Sequence, residues 1–191
     1  MIMEAPKDTG GSWGLNDGVV RGMLSRTIPA SVFDMGCGHG KYAAMFRELG
    51  LRPRIVGVDS YAPTIEYLKT TGLYSELFNE EIGLFDIPPC DMVIFGDVLE
   101  HLKRSQVVAL LEKLGRERRV KYVIAVVPLG DKPQSEMGGN PAELHQWAIE
   151  EDEFLNIAES AGLREMERHV ATAKAKDGDY QKMAVLFRCA V

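Results

Sequence analysis

Residues able to do chemistry gather at four places along the chain. In VFDMGCGHGKYAAMF, residues 32–46, Gly36, Gly38 and Gly40 take every second position where an apolar run gives way to helical spacing. Glycines at a strand-to-helix turn let backbone N–H groups approach a ligand closely, and the helix start that follows favours negative charge. A dinucleotide fingerprint wants glycine at position 41, where this chain has Lys41. Asp34, just ahead of the first glycine, adds a carboxylate that repels a pyrophosphate and suits an ammonium or a sulfonium. Asp59 closes the next apolar run about 20 residues on, where an acidic side chain accepts bonds from ribose hydroxyls. Two imidazoles, His101 in DVLEHL and His145 in AELHQW, have the near-neutral titration that proton transfer requires.

These residues need a scaffold, and the spacing of apolar residues predicts one. SVFDM (31–35), RIVGVD (54–59), YSELF (74–78), DMVIFG (91–96) and KYVIAVV (121–127) read as strands, several of them apolar almost throughout. Such runs suit strands covered on both faces. Tyr42, Met45, Phe46 and Leu49 fall at helical spacing between them, as do Val107, Leu111 and Leu114. The alternation implies right-handed crossovers and a parallel sheet. The tail differs: EFLNIAESAGL reads as a helix stopped by Gly162, and REMERHV and YQKMAVLFRCA flank the polar turn KAKDGD as an antiparallel hairpin. Ahead of all this, residues 1–30 form a Gly-rich arm and a short helix that Asn16 caps and Pro29 ends.

Composition bounds the function. The 191 residues are long enough for one domain with a sizeable core, and the hydrophobic fraction of 46% is ordinary. A net charge of −6 and a pI near 5.3 argue against nucleic acid or an anionic membrane as partner. Cys37, Cys90 and Cys189 fit neither a disulfide framework nor a metal-binding pair, which suggests a reducing cytoplasm. The N-terminus has no signal-peptide pattern, the apolar runs are too short to cross a bilayer, and no His or Asp spacing argues for a metal.

The run FDMGCGHGKYA resembles the first motif of the class I S-adenosylmethionine (SAM) methyltransferases, an acidic residue followed by Gly-x-Gly-x-Gly. DVLEHL, after DMVIFG, resembles that family's fourth strand and the turn behind it. The resemblance covers residues 31–127 and implies a Rossmann-like, doubly wound, mostly parallel seven-stranded sheet with a C-terminal antiparallel hairpin, as a single domain over residues 1–191. It implies SAM as cofactor and a small-molecule methyl acceptor. Asp34, Gly36, Cys37, Gly38 and Gly40 would line the methionine part of SAM, and Asp59 with Ser60 the ribose. Glu81 and Ile82 would meet the adenine, with Asp86 as a competitor, and Gly96, Asp97 and Val98 would lie beneath the cofactor. A non-catalytic SAM-binding regulatory protein is the alternative from another class, and an NAD-dependent oxidoreductase the second.

Acceptor recognition is expected in residues 129–149, a long polar segment after the fifth strand of the kind that often forms a functional lid. His145 and His101 are the candidate bases, with Asp97 as an orienting carboxylate and Trp147 and Trp13 as further acceptor contacts. Trp13 lies in TGGSWG, whose glycines suit a flap over the cofactor. Each has a plainer reading: His101 as a cap near Glu100, Trp147 as core packing against Phe154, His39 and His169 as structural or solvent-facing. The DIPPC run precedes the fourth strand and reads as a loop, and RERRVK (116–121) reads as cations at a helix end.

Overall fold

The computed structural model describes residues 4–7, 14–132, 134–136, 140–175 and 178–189. Seven strands form one sheet: β1 (Ser31–Met35), β2 (Arg54–Asp59), β3 (Glu76–Asn79), β4 (Cys90–Gly96), β5 (Val120–Leu129), β6 (Leu163–Ala175) and β7 (Gly178–Cys189). Their order is β3-β2-β1-β4-β5-β7-β6, parallel from β3 to β5, with β7 antiparallel to both β5 and β6. Strand order reverses between β1 and β4, so their carboxyl ends part and leave the crevice in which such sheets bind ligands.

Side-chain alternation sends each central strand to two layers. Met92 and Ile94 of β4 join Ile124 and Val126 of β5 on one face, while Val93 and Phe95 join Val123, Ala125 and Val127 on the other. The first face is covered by α1 (Asp17–Thr27) and α2 (Lys41–Glu48), through Val20, Met23, Leu24, Met45 and Phe46. The second is covered by α4 (Arg104–Glu117) and α5 (Glu151–Ser160), through Val107, Leu111, Leu114 and Phe154. The i, i+3, i+4 spacing of these residues puts each helix's apolar stripe on the sheet. A shorter α3 (Ala62–Lys69) packs Ile65 and Leu68 against Cys37.

Two local expectations change. Asn16 precedes α1 without capping it through its side chain. Its amide instead donates to the Lys182 carbonyl at 2.8 Å, and its carbonyl oxygen lies 3.0 Å from His169 Nδ1, tying the helix start to the C-terminal hairpin. The third strand starts at Glu76, not Tyr74, because Tyr74 turns its hydroxyl to Asp34 before the strand begins.

Gly115 of α4 fixes how closely α5 approaches. A Cβ there would sit 1.6 Å from the Ala161 carbonyl oxygen, a backbone atom with no side-chain freedom to yield. Gly115→Ala should therefore destabilise the fold by about 2–3 kcal/mol despite the better helix propensity of alanine. Denaturant unfolding of the two proteins measures this; equal midpoints would show that the helices slide apart freely.

Candidate active site

The chain leaves β1 through a loop whose glycines have distinct tasks. Gly36, Gly38 and Gly40 have φ of +73°, +47° and +82°, a region that side chains disfavour. A Cβ on Gly36 would come 2.2 Å from the Val98 side chain, so this glycine lets the loop rest on the turn after β4. Gly38 has nothing within 4 Å of its Cβ direction and leaves the loop open on that side. The N–H groups are engaged within the protein: Gly36 and Cys37 donate to the Val58 carbonyl at 2.8 and 3.1 Å, Gly38 to Asp59 Oδ2 at 2.9 Å and Gly40 to the Cys37 carbonyl at 2.8 Å. The loop thus supplies shape more than a row of donors, a departure from the sequence expectation.

Two carboxylates flank it. Asp34 is buried; Tyr74 donates to its Oδ2 at 2.6 Å, and its buried Oδ1 has no hydrogen-bond partner among the described residues. Burial pushes the Asp34 carboxyl up to about 7 against the pull of the Tyr74 hydrogen bond. The thiol of Cys37 is held well above its ordinary value, by burial first and then by the Asp34 charge, so Cys37 lines the site as an apolar group. Asp59 is also raised by burial, with the N–H groups of Tyr61 and Gly38 opposing. The Tyr61 N–H lies 2.9 Å from Oδ1, and the Asn79 amide holds the Asp59 carbonyl at 2.9 Å. Ser60 is exposed beside it.

Past β3, Glu81 is exposed at a turn closed by its carbonyl, and Ile82 is packed into the main core. Asp86, the competitor, pairs with Lys113 at 2.7 Å and Arg119 at 3.7 Å on the surface of α4, where Lys113 holds it below its ordinary value. Gly96 has a packing reason of its own, since a Cβ would fall 1.9 Å from the Tyr42 ring.

The turn after β4 gathers a second group. Asp97 has a φ of +52°, unusual for a residue with a side chain, while its N–H donates to the Val126 carbonyl at 2.8 Å. Lys182, on β7 and 1% exposed, brings its ammonium 2.6 Å from Asp97 Oδ2. Glu100 is buried, its Oε2 has no hydrogen-bond partner among the described residues, and burial followed by the Asp97 charge holds its carboxyl well above the ordinary range. The expected lid is pinned here: Gln146 and Trp147 donate N–H groups to the Glu100 carbonyl at 2.8 and 3.2 Å, and the Gln146 amide donates to the His101 carbonyl at 2.7 Å. A bridge between Gly130 and Ile149 closes the segment's base.

That clamp sets His101 and His145 edge to face, with ring centroids 4.8 Å apart. His145 Nδ1 lies 2.5 Å from the Lys132 carbonyl and His101 Nδ1 lies 3.4 Å from that of Leu144. Burial, then the neighbouring imidazole, pushes His101 down to about 4, and burial lowers His145 as well. Both rings are therefore neutral at physiological pH and can accept a proton. Trp147 is half-buried against Phe154, centroids 6.3 Å apart, so the core-packing reading describes it while one edge stays accessible. His39 stacks edge-on to Tyr67 at 6.1 Å. Trp13 lies outside the described residues.

Sequence reasoning missed Tyr74, Glu100 and Lys182. Lys182 had a signal: it heads the unbroken buried run Lys182–Phe187, where a charge needs a partner.

A methyltransferase-domain family profile matches residues 33–117, from within β1 to the end of α4. No curated protein matches by sequence. Among solved structures, the methyltransferase domain of a bacterial Hen1 protein has a TM-score of 0.66 at 18% identity, over 92% of this chain and 98% of that one. The N-methyltransferase NodS from Bradyrhizobium japonicum WM9, in complex with S-adenosyl-L-homocysteine (SAH), has 0.66 at 16%, over 97% and 95%. Magnesium protoporphyrin IX methyltransferase from Synechocystis PCC 6803, with bound SAM, has 0.65 at 15%, over 90% and 77%. Residues 33–117 thus match a methyltransferase domain, and the chain has the fold of these SAM-dependent methyltransferases.

SAM is the cofactor of this family, which sets the NAD-dependent alternative aside. The residues present fit that group: a buried carboxylate oxygen without a donor among the described residues, beside a glycine loop open at Gly38, suits an ammonium. No described helix is long and apolar enough to cross a membrane.

Ionising Asp34 without a cation beside it opposes folding. Its folded value lies above the ordinary 3.8, so its contribution is most favourable below that value and is lost as pH rises through about 7. In the ligand-free protein this amounts to about 4 kcal/mol at most. Asp34→Asn should flatten that part of the stability profile, measured by denaturant unfolding from about pH 5 to about pH 8. An unchanged profile would show that the carboxyl stays ionised throughout.

Proposed function

We propose that this methyltransferase transfers the methyl group of SAM to an oxygen or nitrogen of a small-molecule acceptor, with the acceptor held between the turn after β4 and residues 140–149. The observation that carries the cofactor half is Asp34 Oδ1, a buried acceptor atom with no donor among the described residues. Bound SAM supplies a methyl group on a sulfonium, which leaves as a neutral thioether when a nucleophile attacks in line.

The chain's part is positioning. Asp34 receives the ammonium of the amino-acid tail, and Gly36, Cys37, Gly38 and Gly40 give that tail a close-fitting wall. Asp59, already oriented by two backbone N–H groups, takes the ribose hydroxyls with Ser60 at the rim. Glu81, exposed at the turn after β3, would meet the adenine amino group, and Ile82 backs the same turn from the core. Gly96, Asp97 and Val98 form the floor, with Asp97 held by Lys182. Holding the nucleophile about 3 Å from the methyl carbon supplies several kcal/mol of the barrier.

His145 is the base for a hydroxyl or ammonium acceptor. Its Nδ1–H donates to the Lys132 carbonyl, which leaves Nε2 with a lone pair, and its lowered value keeps that lone pair available near neutral pH. His101 lies against it as the second candidate, and Trp147 offers the acceptor a flat apolar edge. The small size of the acceptor is supported by the acidic charge. A cytoplasmic location, supported by three buried free cysteines, is part of the same proposal.

Calorimetry with SAH tests the cofactor site. Asp59→Ala should weaken SAH binding by roughly 2–4 kcal/mol through lost charge-assisted hydrogen bonds. Near pH 6, SAH binding should also release a proton as Asp34 ionises beside the ligand ammonium, seen as a dependence of binding heat on buffer ionisation enthalpy. Undiminished affinity in Asp59→Ala would remove the assignment.

Turnover tests the acceptor side. His145→Ala should slow methyl transfer by roughly 10²–10⁴-fold while SAH affinity stays near wild type. With a neutral imidazole as base, activity should persist below pH 6.5, the ordinary histidine value, because the His145 lone pair is lost only at a lower pH. Full turnover in the folded variant would move the role to His101 or end the need for a base.

A further inference from the structure

We propose that Glu100, His101 and His145 form a binding site for one divalent transition-metal ion of the zinc type. One ligating atom from each, a carboxylate oxygen and two imidazole nitrogens, lie within 4.8 Å of one another. Zinc bonds of about 2.0–2.1 Å set tetrahedral ligand atoms roughly 3.3 Å apart, so side-chain rotation of an ångström or so completes the shell. Two histidines and one carboxylate leave a position open, the arrangement of a catalytic ion rather than a structural one.

Three observations beyond proximity point to a ligand. Glu100 is 2% exposed and its Oε2 has no hydrogen-bond partner among the described residues, so a buried oxygen awaits an electrophile. His145 turns Nδ1 to the Lys132 carbonyl at 2.5 Å, which assigns its proton to Nδ1 and its lone pair to Nε2, and His101 Nδ1 faces the Leu144 carbonyl at 3.4 Å. Metal-bound histidines are oriented in this way by the partner of their other nitrogen. The third observation is rigidity: the consecutive N–H groups of Gln146 and Trp147, just after His145, both donate to the Glu100 carbonyl, so the distant ligand is fixed to the other two by backbone hydrogen bonds.

The surrounding charge accommodates the ion. Asp97, Glu143 and Lys182 all act on Glu100, and the Lys182 ammonium lies 2.6 Å from Asp97, so a carboxylate-rich neighbourhood with one ammonium faces the ion. An ion at the open position would bind an acceptor oxygen and make its proton more acidic. The Nε2 lone pair then serves the metal instead of taking the proton, so the ion and the free imidazole base are exclusive uses of the same residues.

Titration of the metal-depleted full chain with ZnCl₂ in a calorimeter tests the site. One equivalent should bind, and EDTA should remove it. Glu100→Gln, His101→Asn and His145→Asn should each weaken Zn²⁺ binding at least tenfold, while His169→Asn, at the far hairpin contact, leaves it unchanged. SAH titration of the same variants reports on the fold independently. If Glu100→Gln does not fold, His145→Asn, half-buried on its loop, carries the test. Absence of stoichiometric Zn²⁺ binding by the wild type, or equal affinity in wild type and His145→Asn, overturns the proposal. Zn²⁺ binding without SAH binding would refute the cofactor assignment and leave the metal site standing; SAH binding without Zn²⁺ binding would do the reverse.

Discussion

Everything chemical in this protein depends on β1 being paired on both sides by parallel strands that then leave in opposite directions. β2 and β4 both run alongside Asp34 and Met35, with Asp34 opposite Gly57 and Ile94. A central parallel strand with elements packed on both faces of its sheet is buried, so Asp34, shielded from water, must be satisfied locally or stay protonated. The crevice at its carboxyl end exists because the crossovers on its two sides go to opposite faces of the sheet. Gly36 against Val98 keeps the two departing chains in contact at that point.

The second constraint is the handling of buried acid. Asp34, Asp59, Asp97 and Glu100 surround the crevice, and a single buried ammonium, that of Lys182, answers them among the described residues. Burial raises Asp34, Asp59 and Glu100 together, since each carboxylate loses hydration, and at Asp34 and Glu100 a neighbouring carboxylate adds to it. The exposed ion pairs, Arg21 with Glu48 or Lys113 with Asp86, sit in water and contribute little by comparison.

The antiparallel hairpin joins these two constraints. β7 runs beside β5 with Lys182 opposite Pro128, at the level where β5 approaches its carboxyl end. Its lysine therefore reaches the turn after β4 from across one strand. The same hairpin holds Asn16 through His169, so the start of α1 and the charge at Asp97 are positioned by one element.

What the sequence determined was the sheet and its first turn. Strand identity is local: the continuous apolar runs of β1, β4 and β5 demand burial on both faces, and the alternating glycines with Asp34 and Asp59 mark the crevice whatever fills it. Only the tertiary structure decided how the turn after β4 and residues 140–149 come together. His145 meets Glu100 and His101 because backbone N–H groups of Gln146 and Trp147 find one carbonyl far back along the chain, a pairing that no periodicity encodes. Tyr74 read as a strand residue and Lys182 as one more hairpin charge, since a side chain's partner depends on which strands become neighbours. Spacing along the chain records the local preferences of the backbone; buried charges and shared ligands depend on contacts between distant segments, and those exist only once the sheet has closed.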